Sequence, residues 1–115
     1  MRSLSVQVQP NRAPGIDLHR LVSAFEEIAT MRELVEHHAF DRGQDDGPYL
    51  NFTFGTGRAG DLWRLIQARI YESPDVGLHM KRASMAMCSS ETGWDDYLLL
   101  AHFDPAVKLD AAAAL

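Results

Sequence analysis

The sequence predicts one α+β domain, with a mostly antiparallel sheet of about four strands and two main helices on one face. The predicted order is β-α-β-α-(α)-β-β. Three observations predict it: segments that alternate apolar and polar residues, segments with apolar residues three or four apart, and glycine or proline between them. The length of 115 residues is that of a single domain.

The first strand is predicted over residues 3–9, where Leu, Val and Val alternate with polar residues before Pro10. Asp17 is suited to cap the helix that follows, because its carboxylate can accept a backbone N–H of the first turn. Apolar residues then recur at spacings of three, four and seven. This stripe predicts an amphipathic first helix that runs to about His38.

A polar turn is predicted over residues 41–48, and a second alternating strand over residues 49–54. The second helix is predicted to start at a cap, Asp61, and to end before Pro74. Ser-Pro at that point is typical of the start of a further short helix, which we expect to reach about Arg82.

The last two strands are predicted as a hairpin of residues 85–90 and 94–103, joined by a turn at residues 91–93. Residues 97–101 are almost continuously apolar, which is typical of a central strand covered on both faces. The domain is therefore expected to span residues 1–110. The Ala-rich residues 111–115 are typical of a vector-derived linker and are set apart from it.

Charge and composition narrow the classes of partner and compartment. The formal net charge is −5, which disfavours nucleic acid as a general partner and favours a basic or neutral protein. Cys88 is the single cysteine, so an internal disulfide is excluded and a reducing cytoplasmic compartment is expected. No apolar run approaches the length of a membrane span.

Two sequence patterns suggest a ligand-binding site, but neither matches the corresponding motif well. The glycines of residues 55–60 follow a strand and precede a helix, yet neither a dinucleotide fingerprint nor a nucleotide P-loop is completed. His37 and His38, with the nearby aspartates 41, 45 and 46, invite a metal site. Adjacent residues of a helix point about 100° apart, so the two imidazoles are expected to suit a helix C-terminus instead. No cofactor and no metal are predicted.

Catalytic pairs are also disfavoured. The predicted hairpin register sets Cys88 near Asp96 or Tyr97, on the order of 20 Å from His102, which is too far for a thiol–imidazole pair. Asp95 and Asp96 are neighbours in a strand and face opposite sides, so they cannot easily share a proton. No catalytic residue is predicted, and the balance is against an enzyme.

The predicted hairpin tip is the best candidate for recognition. Glu91, Trp94, Asp95 and Asp96 place three carboxylates and an indole where burial is difficult. Tryptophan is frequent in binding hot spots, and acidic groups steer basic partners. Asp45 and Asp46 are added as further partner-binding candidates. The alternative is that Trp94 folds back onto the domain and the acids only solubilise the turn.

In size, acidity and predicted element order the chain resembles small bacterial immunity and antitoxin proteins, which cover the active site of a toxic enzyme. The resemblance is one of overall profile without a shared motif, so no residue role transfers from it. It implies an inhibitor of a basic, toxin-like partner. Two alternatives stay open: a small enzyme or ligand-binding domain with a pocket that uses Tyr49, Cys88 or the histidines, and a homodimer paired through a strand edge.

Overall fold

The computed structural model describes all 115 residues and confirms a single α+β domain. One antiparallel sheet has five strands in the order β2-β3-β1-β4-β5. The strands are β1 Arg2–Val8, β2 His37–Gln44, β3 Pro48–Thr56, β4 Ser84–Ser90 and β5 Gly93–Ala101. The α-helices are α1 Leu18–Ala29, α2 Ala59–Ile66 and α3 Gly77–Ala83, with a π-helical segment, Gln67–Tyr71, after α2.

Strand β1 lies at the centre of the sheet, and its alternation sets the two faces. Leu4, Val6 and Val8 are fully buried beneath the helices. Their neighbours on β3 and β4, such as Phe52 and Ala86 beside Val6, are buried with them. The opposite face is polar and half-exposed. Hydroxyl and amide side chains bond across its strands there, as Ser5 and Thr53 do at 3.0 Å.

Helix α1 is shorter than its apolar stripe predicts. It begins after Asp17, whose Oδ1 accepts the Arg20 N–H at 3.0 Å as expected, but it ends at Ala29. Thr30 follows the last turn and donates its hydroxyl to the Glu27 carbonyl at 2.6 Å. Val35, which fits the stripe, is buried from a separate turn. The prediction of a helix to His38 was therefore wrong.

Residues 37 and 38, assigned to the end of that helix, and residues 41–44, assigned to the polar turn, instead belong to an additional strand, β2. It joins β3 through a tight turn in which Asp46 has φ 56° and Gly47 has φ 126°. Glycine adopts positive φ readily and aspartate tolerates it, so both residues suit this three-residue loop, 45–47. Phe40 holds the strand to the core, with ring centroids 5.0 Å from Phe52 and 5.6 Å from Phe54.

Strand β5 was predicted to be central, and this prediction was also wrong, because β5 is an edge strand. A bulge explains its continuous apolar run. Ala101 pairs with Ala86 but Leu99 pairs with Met87, so Leu100 is an extra residue on β5. A bulge lets successive residues face the same side. Leu98, Leu100 and Ala101 all pack against the core.

The segment after β5 returns along its outer edge. The Asp110 N–H donates to the Leu99 carbonyl at 2.9 Å, and an Asp110 carboxylate oxygen accepts the Leu99 N–H at 2.8 Å. Ala112–Ala114 form a 3₁₀ turn, and half-buried Leu115 packs against the core. The vector origin of residues 111–115 stays a prediction. None of the helices combines the length and apolarity needed to cross a membrane.

Candidate functional site

The hairpin tip, residues 91–97, leaves the regular sheet where β4 turns into β5. Gly93 pairs with Ser90, and the next pair joins Leu98 to Cys88. Four residues, 94–97, therefore stand opposite the single residue Ser89. Such an excess on one strand disrupts the ladder and turns side chains away from the sheet. Gly93 permits the turn, with φ 139° and nothing close to where a Cβ would stand.

Two large aromatic side chains of the tip face solvent. Trp94 is 45% exposed and Tyr97 is 49% exposed, whereas Trp63, the other tryptophan of the chain, is only 2% exposed. Trp94 therefore does not pack fully against the domain. Aromatic rings bury a large apolar area at a low cost in side-chain entropy, which is why exposed ones are typical of binding surfaces.

The carboxylates of the tip differ in their partners. Glu91 accepts from the N-terminal ammonium group at 3.3 Å and lies 3.5 Å from the guanidinium of Arg2. Asp95 and Asp96 are exposed and form no ion pair within the chain. Two neighbouring, uncompensated negative charges thus lie between Trp94 and Tyr97 in the sequence, and all four side chains are exposed to a cationic partner.

The other two predicted partner-binding residues are not part of this surface. Asp45 and Asp46 form the turn between β2 and β3, at the end of the sheet where Val8 pairs with Leu50. The hairpin tip lies at the opposite end and on the opposite edge. Strand spacing and strand rise place the two groups about 30 Å apart. One compact partner site does not include both groups.

The thiol of Cys88 is not a nucleophile in this fold. The side chain is fully buried, and burial raises its pKa although the nearby guanidinium of Arg2 lowers it. The predicted register was wrong: Cys88 faces Leu98 instead of Asp96 or Tyr97. His102 is consequently nearer than predicted, but it still lies about 10 Å along the sheet. Its Nδ1 accepts the Asp104 N–H at 3.0 Å.

The histidines and the glycine-rich segment have structural roles. His37 and His38 lie on β2 and not at a helix end, with the His37 ring over Gly55 and the His38 ring 5.0 Å from that of Phe40. No three His, Cys, Asp or Glu side chains come together as metal ligands do. In the glycine-rich segment the Thr56 hydroxyl accepts the Arg58 N–H at 2.9 Å. Arg58 is the N-cap of α2 and Asp61 lies in the first turn, so the prediction that Asp61 caps this helix was wrong.

A second concave region lies between α1 and the β2–β3 hairpin. It is a cleft of about 490 Å³ with apolar walls that include Leu18, Val22 and Leu50. His19 and Arg42 supply its ionisable side chains, and Tyr49 borders it. The cleft contains no hydroxyl or thiol nucleophile other than the phenol of Tyr49. This arrangement can bind a small anion-bearing molecule more readily than it can transform one.

Tyr71 is the most strongly shifted acid in the chain, and it lies outside both regions. Burial raises its pKa to about 12, and the hydrogen bond with Ser84, at 2.6 Å, opposes part of that rise. It is therefore protonated at neutral pH and serves as a structural hydroxyl of the core.

Comparison with known proteins supplies no assignment, since no family model, no curated protein and no solved structure matches the chain. The geometry of the chain is thus the only basis for a functional proposal. The sequence predicted Trp94, Asp95 and Asp96 as partner-binding candidates but not Tyr97, because the apolar neighbours of Tyr97 placed it in a buried run. Its position beside two aspartates was the available signal.

Proposed function

We propose that this chain is a small cytoplasmic protein-binding domain that binds a basic partner through the hairpin tip. The observation that carries the proposal is the surface itself: half-exposed Trp94 and Tyr97 flank Asp95 and Asp96, which have no partner within the chain. Aromatic anchors contribute affinity, and uncompensated charge contributes steering and selectivity.

A bacterial immunity or antitoxin role is the specific form of the proposal. An inhibitor of this kind needs a rigid base and an acidic projection that enters the cationic cleft of an enzyme. The five-stranded sheet supplies the base, and the tip supplies the projection. The net charge of −5 favours a basic partner over nucleic acid. A buried lone cysteine accords with a reducing compartment.

The partner to test first is the product of the gene immediately upstream of this one, produced together with the chain. Trp94→Ala and, separately, Asp95→Lys with Asp96→Lys should weaken the purified complex by at least about tenfold in Kd, as loss of a hot spot does. The matched control is Glu33→Lys with Glu72→Lys, which reverses two exposed acids away from the tip. Leu78→Ala, at a side chain that is 65% exposed, controls for the loss of apolar area.

Varying the salt concentration separates the contribution of the charges to partner binding from that of the aromatic rings. Raising the ionic strength should reduce the association rate of the wild-type chain and of Trp94→Ala, but it should not reduce that of the doubly reversed variant, because its tip repels a basic partner. If the tip variants and the control variants bind alike, the tip is not the partner surface, even if a complex forms.

A second candidate function is the binding of a small anionic molecule in the cleft beside α1. The observation that favours it is the approach of His19 and Arg42 to an apolar cleft of about 490 Å³. A small molecule that co-purifies with the wild-type chain and is lost with Arg42→Ala would support this function. Its retention in that variant would argue against the cleft as its site.

A further inference from the structure

Strand β2 is the second edge of the sheet, and no segment of the chain covers its outer side. Its eight residues pair with β3 in an unbroken register, and no other strand pairs with it. Natural edge strands are usually blocked by proline, lysine or a bulge, because an unpaired ladder attracts another strand. β2, with the sequence HHAFDRGQ, contains no proline, lysine or bulge, and its charged residues are Asp41 and Arg42.

The position of Pro48 shows which backbone groups of β2 point outward. Residues of an antiparallel pair alternate between pairs that exchange two hydrogen bonds and pairs that exchange none. Pro48 lacks an N–H, so its pair with Gln44 is of the second kind. By alternation, His38, Phe40 and Arg42 direct their N–H and C=O groups away from β3. They form an evenly spaced row of donors and acceptors.

The helix side of this edge is incompletely filled. Phe40 is only half-buried, although it packs among the phenylalanine rings of α1 and β3. A groove of about 200 Å³ opens beside Phe40, between Glu26 and Arg42. Another, of about 320 Å³, opens beside Glu36, between Arg32 and His38. Side chains of an added strand would have room in both.

We propose that two copies of this chain pair through β2, antiparallel about a two-fold axis, and so extend the sheet to ten strands. The occupant is a second copy because β2, taken together with Glu36 immediately before it, is complementary to itself in charge. With the axis at Ala39, Asp41 stands opposite His37 of the second copy, and Arg42 stands opposite its Glu36. Symmetry repeats each contact, so the interface holds two Asp–His and two Arg–Glu contacts.

Other registers are less favourable. A two-fold axis normal to the sheet pairs residues whose side chains lie on the same face. One residue of β2 must therefore stand opposite its own copy, and the axis passes midway between the two. An axis at Asp41 brings two aspartates directly together. An axis at Phe40 places Arg42 against His38, and Asp41 against Ala39. Opposite charges across strands stabilise a pair and like charges destabilise it, so the register about Ala39 is preferred.

The interface does not involve the hairpin tip, because the tip projects from the other edge of the sheet. A dimer through β2 would therefore present two partner surfaces at its far ends. Pairing through β2 does not require partner binding at the tip, and either can be absent without the other.

Sedimentation velocity of the full chain from about 10 µM to about 1 mM covers the range expected for an interface built mainly from one strand pair. The wild-type chain should shift from monomer to dimer. Glu36→Arg or Arg42→Glu alone should raise the dimer Kd by about tenfold, because each places like charges together twice. The double variant Glu36→Arg with Arg42→Glu should restore the wild-type value.

His38→Pro provides a backbone test with the same readout. It removes an outward N–H while leaving the bonds between β2 and β3 in place, as Pro48 does on β3. His38→Ala is the matched control, and only the proline variant should abolish the dimer. A wild-type chain that stays monomeric to about 1 mM would overturn the proposal. So would a double reversal that fails to restore association, since the charges in that case do not meet in this register.

Discussion

The two edges of the sheet are built in opposite ways. β5 is bulged twice, carries an acidic tip and is bonded along its outer side to Asp110. β2 is straight, regular in register and open along its outer side. An irregular, charged and covered edge resists pairing with other strands, whereas a regular open edge invites it. The difference is the basis on which we propose side-chain recognition for β5 and backbone pairing for β2.

The largest expected effect on folding stability comes from the contact that fixes β2 to the core. Phe40→Ala removes a ring that packs against Phe52 and Phe54, and should lower the free energy of unfolding by about 2–3 kcal/mol. Urea unfolding followed by circular dichroism measures it. A loss below about 0.5 kcal/mol would show that β2 is not fixed by the aromatic cluster.

The turn that forms β2 should show the next largest effect. Gly47 has φ 126°, a conformation that L-residues rarely adopt, so Gly47→Ala should cost about 1–2 kcal/mol of folding stability. Gly57→Ala is the control, because the nearest atom to a Cβ there is a Glu36 carboxylate oxygen at an ordinary 3.6 Å. Equal stability of the two variants would contradict the role given to the turn.

These two sites also show how far the sequence could predict the fold. Alternation in residues 3–9 and 49–54 was sufficient for β1 and most of β3, and the Asp17 cap located the start of α1. β2 was missed because Ile28 and Val35 continue a helical spacing while lying on separate elements. Asp46-Gly47 was the overlooked signal, since that dipeptide is typical of hairpin turns.

Part of the candidate site was proposed from residue types, but its structural setting was not predicted. Trp94, Asp95 and Asp96 could be found from their types alone. The long bulge that turns them outward depends on how β4 and β5 align, and local sequence does not determine such a register. The same limitation placed β5 at the centre of the sheet, because a bulged edge strand that buries Leu98 and Leu100 resembles a central strand in sequence.

The contact of Asp110 with the outer edge of β5 should contribute less to folding stability. Asp110→Ala removes the carboxylate that accepts the Leu99 N–H, and should cost about 1 kcal/mol. Hydrogen exchange of the Leu99 amide should become faster, while exchange at β1 in the sheet centre should follow global stability. An unchanged Leu99 amide would show that Asp110 does not close this edge.

The smallest expected effect on stability is at the tip. Trp94→Ala should change the free energy of unfolding by less than about 1 kcal/mol, because nearly half of the side chain is already in water. Thermal unfolding of this variant beside the wild-type chain measures the change. A loss of about 3 kcal/mol would mean that Trp94 staples the hairpin to the domain and is not free for a partner.

Fluorescence of Trp94 tests the central claim most directly. Trp63→Phe leaves Trp94 as the only tryptophan, with emission and acrylamide quenching typical of an exposed indole. Titration with the purified upstream gene product should shift that emission to the blue and suppress quenching, because the partner buries the ring. A partner that binds this variant while Trp94 stays equally exposed and equally quenched would contradict recognition through the hairpin tip.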